Sequence, residues 1–554
     1  MKYLLLLLSL LLCSACYHVT SPKSYDSDTL DSDTLDSDTL DSDTLDSDTL
    51  DSDTLDSDTL DSDTLDSDTL DSDTLDSDTL DSDTLDSDTL DSDTLDSDTL
   101  DLDTEPCYQG DLVITTYADM TAITNKTCIE GNLTVSSKTM TNVYGLQQIT
   151  FVTGDVLIGS ISNADDGVLK MKSLTGLEGL IRIDGSLTIG YADELQNLDG
   201  LSNLTKIGDN LNIKYATALT SLEGLAGITA LPGGWLNVWG VPNVSDLSAF
   251  LNLTSVRDGI FIGPMDKLTD LNGLQNVTGA TSAIAIYNCP LLKTLSGLNG
   301  ITTLVPFLTE DWSPSIEISN NNALTDLSAL SNITITVDNL AIKIHNNDAL
   351  TDLSWLPNIT GSIGSLSIKG NSSLSNLVGL EGVTSTTDSI ELEKTALTSL
   401  IGLDNITAIE GSLGVYDNPV LKNFTGLKRL ESIGRIFQIK NNDGLIDFSG
   451  LNNLKLIGDL LSPYYFQDLY IGDNDSLESL NGLEKLAFIG DSFQIWNNPL
   501  LTSILELESL IRTTYINAFS ENPSLDKCQQ CTLNNQLTTP IKSMTTWCTA
   551  NCPL

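Results

Sequence analysis

One unit recurs along most of this chain about every 24 residues: a short Leu-x-Ile stretch, an Asn three places later, then spaced leucines and a Gly-Leu pair. GSLTIGYADELQNLDGL (185–201), GSLGVYDNPVLKNFTGL (411–427) and FQIKNNDGLIDFSGL (437–451) are three copies. The second apolar residue of each stretch gives the series Ile189, Ile213, Val238, Ile262, Ile286, Ile318, Ile344, Ile368, Leu392, Val415, Ile439, Ile471, Ile495 and Phe519. The steps are 23–26 residues except for two of 32, and Val135 and Ile158 extend the series upstream with looser spacing. A period of this length with strand-type alternation means a solenoid, in which each coil buries its apolar face only against its neighbours. The expectation is a mainly β chain of about 16 coils whose surface serves recognition.

Within a coil, the two apolar residues of Leu-x-Ile point inward and the residue between them points out. Leucines such as Leu324, Leu327 and Leu330 supply a further wall, and the Gly of Gly-Leu permits a corner. Three residues beyond the key position stand Asn321, Asn347, Asn371, Asn418, Asn442, Asn474, Asn498 and Asn522, with Thr395 once. An Asn there can bond turn backbone groups that would otherwise be buried unpaired, so these residues form a structural ladder and are not catalytic. Cys289 falls on the same ladder and is expected to be a buried free thiol.

The N-terminus reads differently. Residues 1–15 (MKYLLLLLSLLLCSA) form a secretory signal too short to span a bilayer. Cys16 after Cys13-Ser14-Ala15 resembles a bacterial lipoprotein processing box, which implies lipidation of Cys16 and a lipid-anchored segment 16–25; ordinary cleavage after Ala15 is the alternative. Residues 26–100 are fifteen copies of Asp-Ser-Asp-Thr-Leu, and 101–105 are a degraded sixteenth. With one Leu and two charges per copy, 26–105 reads as a disordered, self-repelling tether. A pentapeptide β-helix would bury an Asp in every copy, and calcium binding lacks the loop glycine and bidentate Glu. The net charge of −53 is concentrated there: 33 of the 78 acidic residues lie in 26–105. The remainder is moderately acidic, which argues against a nucleic-acid partner.

The sequence CYQGDLVITT…CIEGNLTV (107–135), followed by I-x-G-x-L-x-I-x-x-N-x-x-L-x-x-L-x-G-L coils, resembles the receptor L domain over nearly all of 107–527. The resemblance implies a right-handed leucine-rich β-helical solenoid over 106–527, with bacterial lipoprotein relatives, and a Cys107–Cys128 disulfide across the N-terminal cap. Because the ligands of such domains differ widely, it implies no particular one. Cys528, Cys531, Cys548 and Cys552 close the chain in a cap over 528–554. Four cysteines at that spacing can bind zinc, but an exported chain favours two disulfides, with three possible connectivities.

Function is expected where the repeat is broken or the outward residues are unusual. The two long steps carry insertions before their strands. One holds Phe307 and Trp312, the other Tyr464, Tyr465 and Phe466. Trp235, Asn237, Trp239, Phe261 and Tyr287 fall on outward positions of three neighbouring coils and make a candidate platform. Tyr470 with Trp496 makes a smaller cluster, and His345 with Lys343, Lys369 and Lys440 a basic strip. Two histidines in the whole chain, no phosphate-binding glycine loop and no nucleophile motif argue against an enzyme, and no cofactor or metal is expected. The sequence reads as a non-catalytic lipoprotein of the outer membrane or cell surface, held to the membrane at Cys16 and binding an extracellular protein or glycan. A structural envelope spacer is the alternative.

Overall fold

The computed structural model describes residues 106–161, 170–307, 313–335, 337, 339–356, 359–458 and 468–552. The chain divides into two units, Met1–Asp101 and Leu102–Leu554, and all described residues belong to the second. The signal, Cys16, the pentamer tract and the insertion aromatics Trp312, Tyr464, Tyr465 and Phe466 lie outside the described residues.

Seventeen strands, from Leu112–Ile114 to Tyr515–Ser520, pair in chain order to form one parallel sheet. The repeat sets its register. Ile158 faces Ile189, which faces Ile213, and the pairing continues through Val238, Ile262, Ile286, Ile318, Ile344, Ile368, Leu392, Val415, Ile439, Ile471 and Ile495 without a slip. All of these key residues are buried, and each such side chain contributes roughly 1.5–3 kcal/mol on burial. Ile286 pairs with Ile318 and Ile439 with Ile471, so both 32-residue steps leave the ladder intact. The last strand joins through a bulge after Gln494. This is a leucine-rich-repeat-type β-solenoid.

Each coil but the last also holds a second short strand that the repeat did not announce, for example Arg182–Ile183, Lys206–Ile207 and Ser432–Ile433. These strands form a separate wall, broken into sheets of five, two, three and six strands. Many are only two residues long, below the length at which alternation is legible.

Two corners follow the long-sheet strand and the leucine wall. Two residues beyond the key, the backbone turns left-handed at Tyr191, Tyr215, Asn288, Asn320, Asn346, Lys394, Asp417, Asn441, Asp473 and Asn497, with φ between 48° and 60°. Glycines take this place at Gly240 and Gly370. A non-glycine residue there costs roughly 1–2 kcal/mol, least for Asn and Asp, which explains their frequency. At the Gly-Leu corner, Gly273, Gly297, Gly379, Gly402, Gly426, Gly450 and Gly482 have φ of 108–118°. Gly200, Gly224, Ala249 and Ala329 instead sit in one-turn 3₁₀ helices.

Beyond the first corner lies the ladder. Asn442 is typical: its Nδ2 donates to the carbonyls of Val415 (3.0 Å) and Lys440 (3.1 Å), and its Oδ1 accepts from the backbone N–H of Asn418 (3.1 Å). Asn321, Asn347, Asn371, Asn418, Asn474, Asn498 and Asn522 are likewise buried and bonded across coils. Thr395 donates its hydroxyl to Asn418 Oδ1 (2.6 Å). Upstream the same position is apolar, with Ala192, Ala216, Val241 and Met265 all fully buried. Cys289 stands at the change. It is a free, buried thiol whose backbone N–H donates to Asn321 Oδ1 (3.0 Å).

Disulfides close both ends. Cys107 is bonded to Cys128, on paired strands of adjacent coils. At the C-terminus the helices Gln529–Gln536 and Lys542–Asn551 are joined by nested bonds, Cys528–Cys552 and Cys531–Cys548. Those four thiols are therefore engaged in disulfides rather than in a zinc site.

Candidate binding face

The strand Trp235–Trp239 alternates cleanly: Leu236 and Val238 are buried, while Trp235, Asn237 and Trp239 point out and are half-buried. Register then sets the neighbours. Trp235 pairs with Gly259 and Asn237 with Phe261, and Ala283 and Ala285 follow on the next strand. Both alanines are outward-facing yet buried. Small residues thus make a floor over which large rings lie. A Cβ added to Gly259 would come within 2.8 Å of the Phe261 ring.

The rings pack on one another. Trp235 lies 4.9 Å from Phe261 and 5.7 Å from Phe307, centroid to centroid. Trp239 meets Tyr287 edge-on at 5.5 Å. Phe307 belongs to the stem of the first insertion, so the described part of that stem joins the platform, two features that are separate in the sequence. Arg257 helps to hold the stem, donating to Ser282 Oγ (3.1 Å) and to the Pro306 carbonyl (3.4 Å). The Tyr287 hydroxyl donates to Glu317. Burial, and then the Glu317 charge, push the Tyr287 phenol well above its ordinary range.

Two polar groups stand out among these rings. Asn237 Oδ1 is buried and has no hydrogen-bond partner. An orphaned buried acceptor of this kind costs about 1–3 kcal/mol. Lys214, half-buried, pairs in register with Trp239. It has no carboxylate within ion-pair distance among the described residues, and burial lowers its pKa. Lys214 was missed in the sequence. The 25-residue step from Ile213 to Val238 places it beside Trp239, where only the aromatic residues stand out in the sequence. The stacked pair Tyr191–Tyr215, 4.7 Å apart, was missed too, because it lies at the left-handed corner rather than on the strand.

Farther along the sheet the basic strip is corrected. Lys343 pairs with Glu317 (2.6 Å), Lys369 with Glu391 (2.6 Å) and Lys440 with Asp473 (3.7 Å), each across one coil boundary. His345 Nε2 shares a hydrogen bond with Ser367 Oγ (2.9 Å), and burial together with Lys369 and Lys343 lowers its pKa. This stretch is a set of solvated ion pairs and offers no net positive surface.

The second aromatic cluster is smaller. Tyr470 and Trp496 lie 6.1 Å apart, edge to face. The indole covers Gly472, where an added Cβ would meet it at 2.1 Å. The Tyr470 hydroxyl donates to Asp468 Oδ2 (2.7 Å), and burial with that bond pushes the phenol up to about 12. A shallow depression beside them is lined by Tyr470, Gln494, Trp496, Asn517 and Glu521. Among the described residues no three His, Cys, Asp or Glu side chains converge as a metal would need. No helix among them is long and apolar enough to cross a membrane.

No family model matches the chain, and no curated protein matches it. Among solved structures it is similar to an internalin from Listeria monocytogenes, at 18% identity over 62% of this chain and 87% of that one, with a TM-score of 0.34. A leucine-rich repeat protein from Bacteroides eggerthii matches at 15% identity over 69% and 72%, TM-score 0.27. The TLR13–ssRNA13 complex matches at 15% identity over 75% and 70%, TM-score 0.24. At these TM-scores the solenoid assignment rests on the register and the ladder described above.

Proposed function

We propose that this chain is a non-catalytic binding protein of the cell surface, adhesin- or receptor-like, that docks an extracellular protein or glycan on its Trp235–Trp239 face. Cys16 would carry the lipid that anchors it to the outer membrane, and the acidic tract 26–105 would serve as its tether. One observation carries the reading: Trp235, Trp239, Phe261, Tyr287 and Phe307 gather on a single stretch of the outward face. Nothing in core packing requires that, because the coils before and after keep the same inward register without such rings. Aromatic side chains clustered around a polar group are also what recognition faces are built from.

The test is adhesion of cells carrying the full chain to a mucin-coated surface, which presents both protein and glycan. Trp239→Ala should reduce adhesion at least about tenfold, as for an anchor residue, while Tyr470→Ala should leave it unchanged. Equal adhesion by both variants would remove the platform from consideration. A spacer role draws support from the hydrogen-bonded Asn ladder and the disulfide at each end of the solenoid. That alternative predicts that deletion weakens the envelope although no ligand is ever retained.

A further inference from the structure

Along the long sheet, outward lysines follow one rule with one exception. Lys343, Lys369 and Lys440 each have a carboxylate on a neighbouring coil within 4.0 Å. Lys214 has none among the described residues, although it is half-buried as they are and burial lowers its pKa. Desolvating an ammonium without a counter-charge is unfavourable, and the fold draws no packing necessity from it. An unmet demand for an anion therefore stands beside Trp239, in the largest outward aromatic cluster among the described residues.

The form of that face limits what meets it. Trp235 and Phe261 are tilted against each other over Gly259 and Ala283, Trp239 meets Tyr287 edge to face, and all four are half-buried, so the rings form a packed layer rather than protruding knobs. Protein hot spots are anchors that insert into a partner's pocket and are sealed from water. Half-buried rings with little further apolar area to lose serve that role poorly. A sugar ring suits them: its C–H face lies on a negative aromatic face, and its hydroxyls bond to the groups between the rings.

Resting on the binding reading above, we propose that the Trp235–Trp239 face binds a carboxylate-bearing glycan. Lys214 takes the carboxylate, and the Trp239 indole carries the sugar ring beside it. The charge-assisted bond restores to Lys214 the counter-ion that every other outward strand lysine named here already has.

The experiment is titration calorimetry of the purified full chain with oligogalacturonate, and with a neutral galactose oligosaccharide as comparator. Oligogalacturonate should bind at least about tenfold more tightly than the neutral sugar, the gap expected of one desolvated ion pair. Lys214→Gln should erase that preference and Lys214→Arg should retain it. Trp239→Ala should abolish both bindings, with thermal unfolding unchanged as the check on folding. Equal binding of acidic and neutral sugars, or a preference that survives Lys214→Gln, overturns the proposal. If no saccharide binds while Trp239→Ala still abolishes mucin adhesion, the glycan class is wrong and the binding face stands. If Trp239→Ala changes neither, both readings fall.

Discussion

The coils keyed by Ile189 to Ile286 and those keyed by Ile318 to Ile495 share one register yet are built on different chemistry. In the first set the position three beyond the key is Ala192, Ala216, Val241, Met265 or Cys289, and it contributes volume to the core. In the second it is Asn in every coil but that of Thr395, and it contributes hydrogen bonds that run from coil to coil. On the outward face, the coils just beyond that boundary carry ion pairs where those just before it carry aromatic rings over small residues. A repeat therefore fixes where a residue sits and leaves open what it does. The Asn coils hold themselves together with little demand on their surface. The larger of the two ring clusters lies on the apolar-ladder coils, and the smaller, Tyr470 with Trp496, on the Asn coils.

Cys289 marks the boundary and supplies the largest expected effect. Burial pushes its thiol up to about 12, so at neutral pH its thiolate fraction should lie roughly a thousandfold below that of an ordinary cysteine. A disulfide-exchange reagent should leave Cys289 of the native chain unlabelled over hours, and label it within minutes of adding denaturant. Rapid labelling without denaturant would place Cys289 outside the ladder and dissolve the boundary.

Leucine introduced on either side of that boundary separates packing from hydrogen bonding. Asn442→Leu removes the donors to Val415 and Lys440 and leaves the Asn418 N–H without its acceptor. It should cost about 3–5 kcal/mol, the sum expected for several buried polar groups left unpaired. Met265→Leu changes a buried side chain of similar volume and should cost under about 1.5 kcal/mol. Because solenoids can melt in segments, the clean readout is hydrogen exchange around each site together with the urea midpoint. Equal costs would mean that the Asn ladder is no more than filling.

The Gly-Leu corner provides a smaller contrast. Gly426 has φ +118°, and an added Cβ would lie 1.9 Å from the Leu400 carbonyl oxygen. Gly200 lacks the positive φ and sits in a one-turn 3₁₀ helix of the type that holds Ala249 and Ala329, but an added Cβ there would press as closely on the Leu174 carbonyl oxygen, so backbone φ alone separates the two sites. Gly426→Ala should therefore be the worse change by about 1–2 kcal/mol, the penalty for a Cβ at positive φ.

These contrasts also show what could be read in advance. The core register was legible because Leu-x-Ile repeats at nearly constant spacing, and the ladder because Asn is conspicuous at a buried step. The left-handed corner left a trace in Asn346, Asp417, Asn441 and Asn497, yet Tyr191, Tyr215 and Lys394 share that backbone and blur it. The contact between Phe307 and Trp235 depends on the path of an insertion, which no repeat specifies. The pairing of Lys343 with Glu317 was within reach, since both occupy the middle position of adjacent strands. It was lost because cations were counted without the carboxylates one period away. The nested disulfides of the cap follow from two helices that carry little apolar periodicity, and spacing alone could not order them.

The smallest effect belongs to the ion-paired face, which carries the one histidine among the described residues. Burial, together with Lys369 and Lys343, depresses the folded-state pKa of His345 below its ordinary 6.5. Below that value the unfolded chain binds a proton that the folded chain resists, so stability rises with pH there. The contribution of the neutral imidazole is fully present above about pH 6.5 and is lost as the pH falls toward the lowered folded value. The urea midpoint of the wild type should thus drop between pH 7 and pH 5 by more than that of His345→Gln. Carboxylate titration contributes to both chains alike, so the difference isolates the imidazole. Identical slopes would mean that the bond to Ser367 Oγ and the facing Glu317 and Glu391 hold the charged ring as well as the neutral one. The ion-paired face would then be as indifferent to acid as the aromatic face, where no histidine stands.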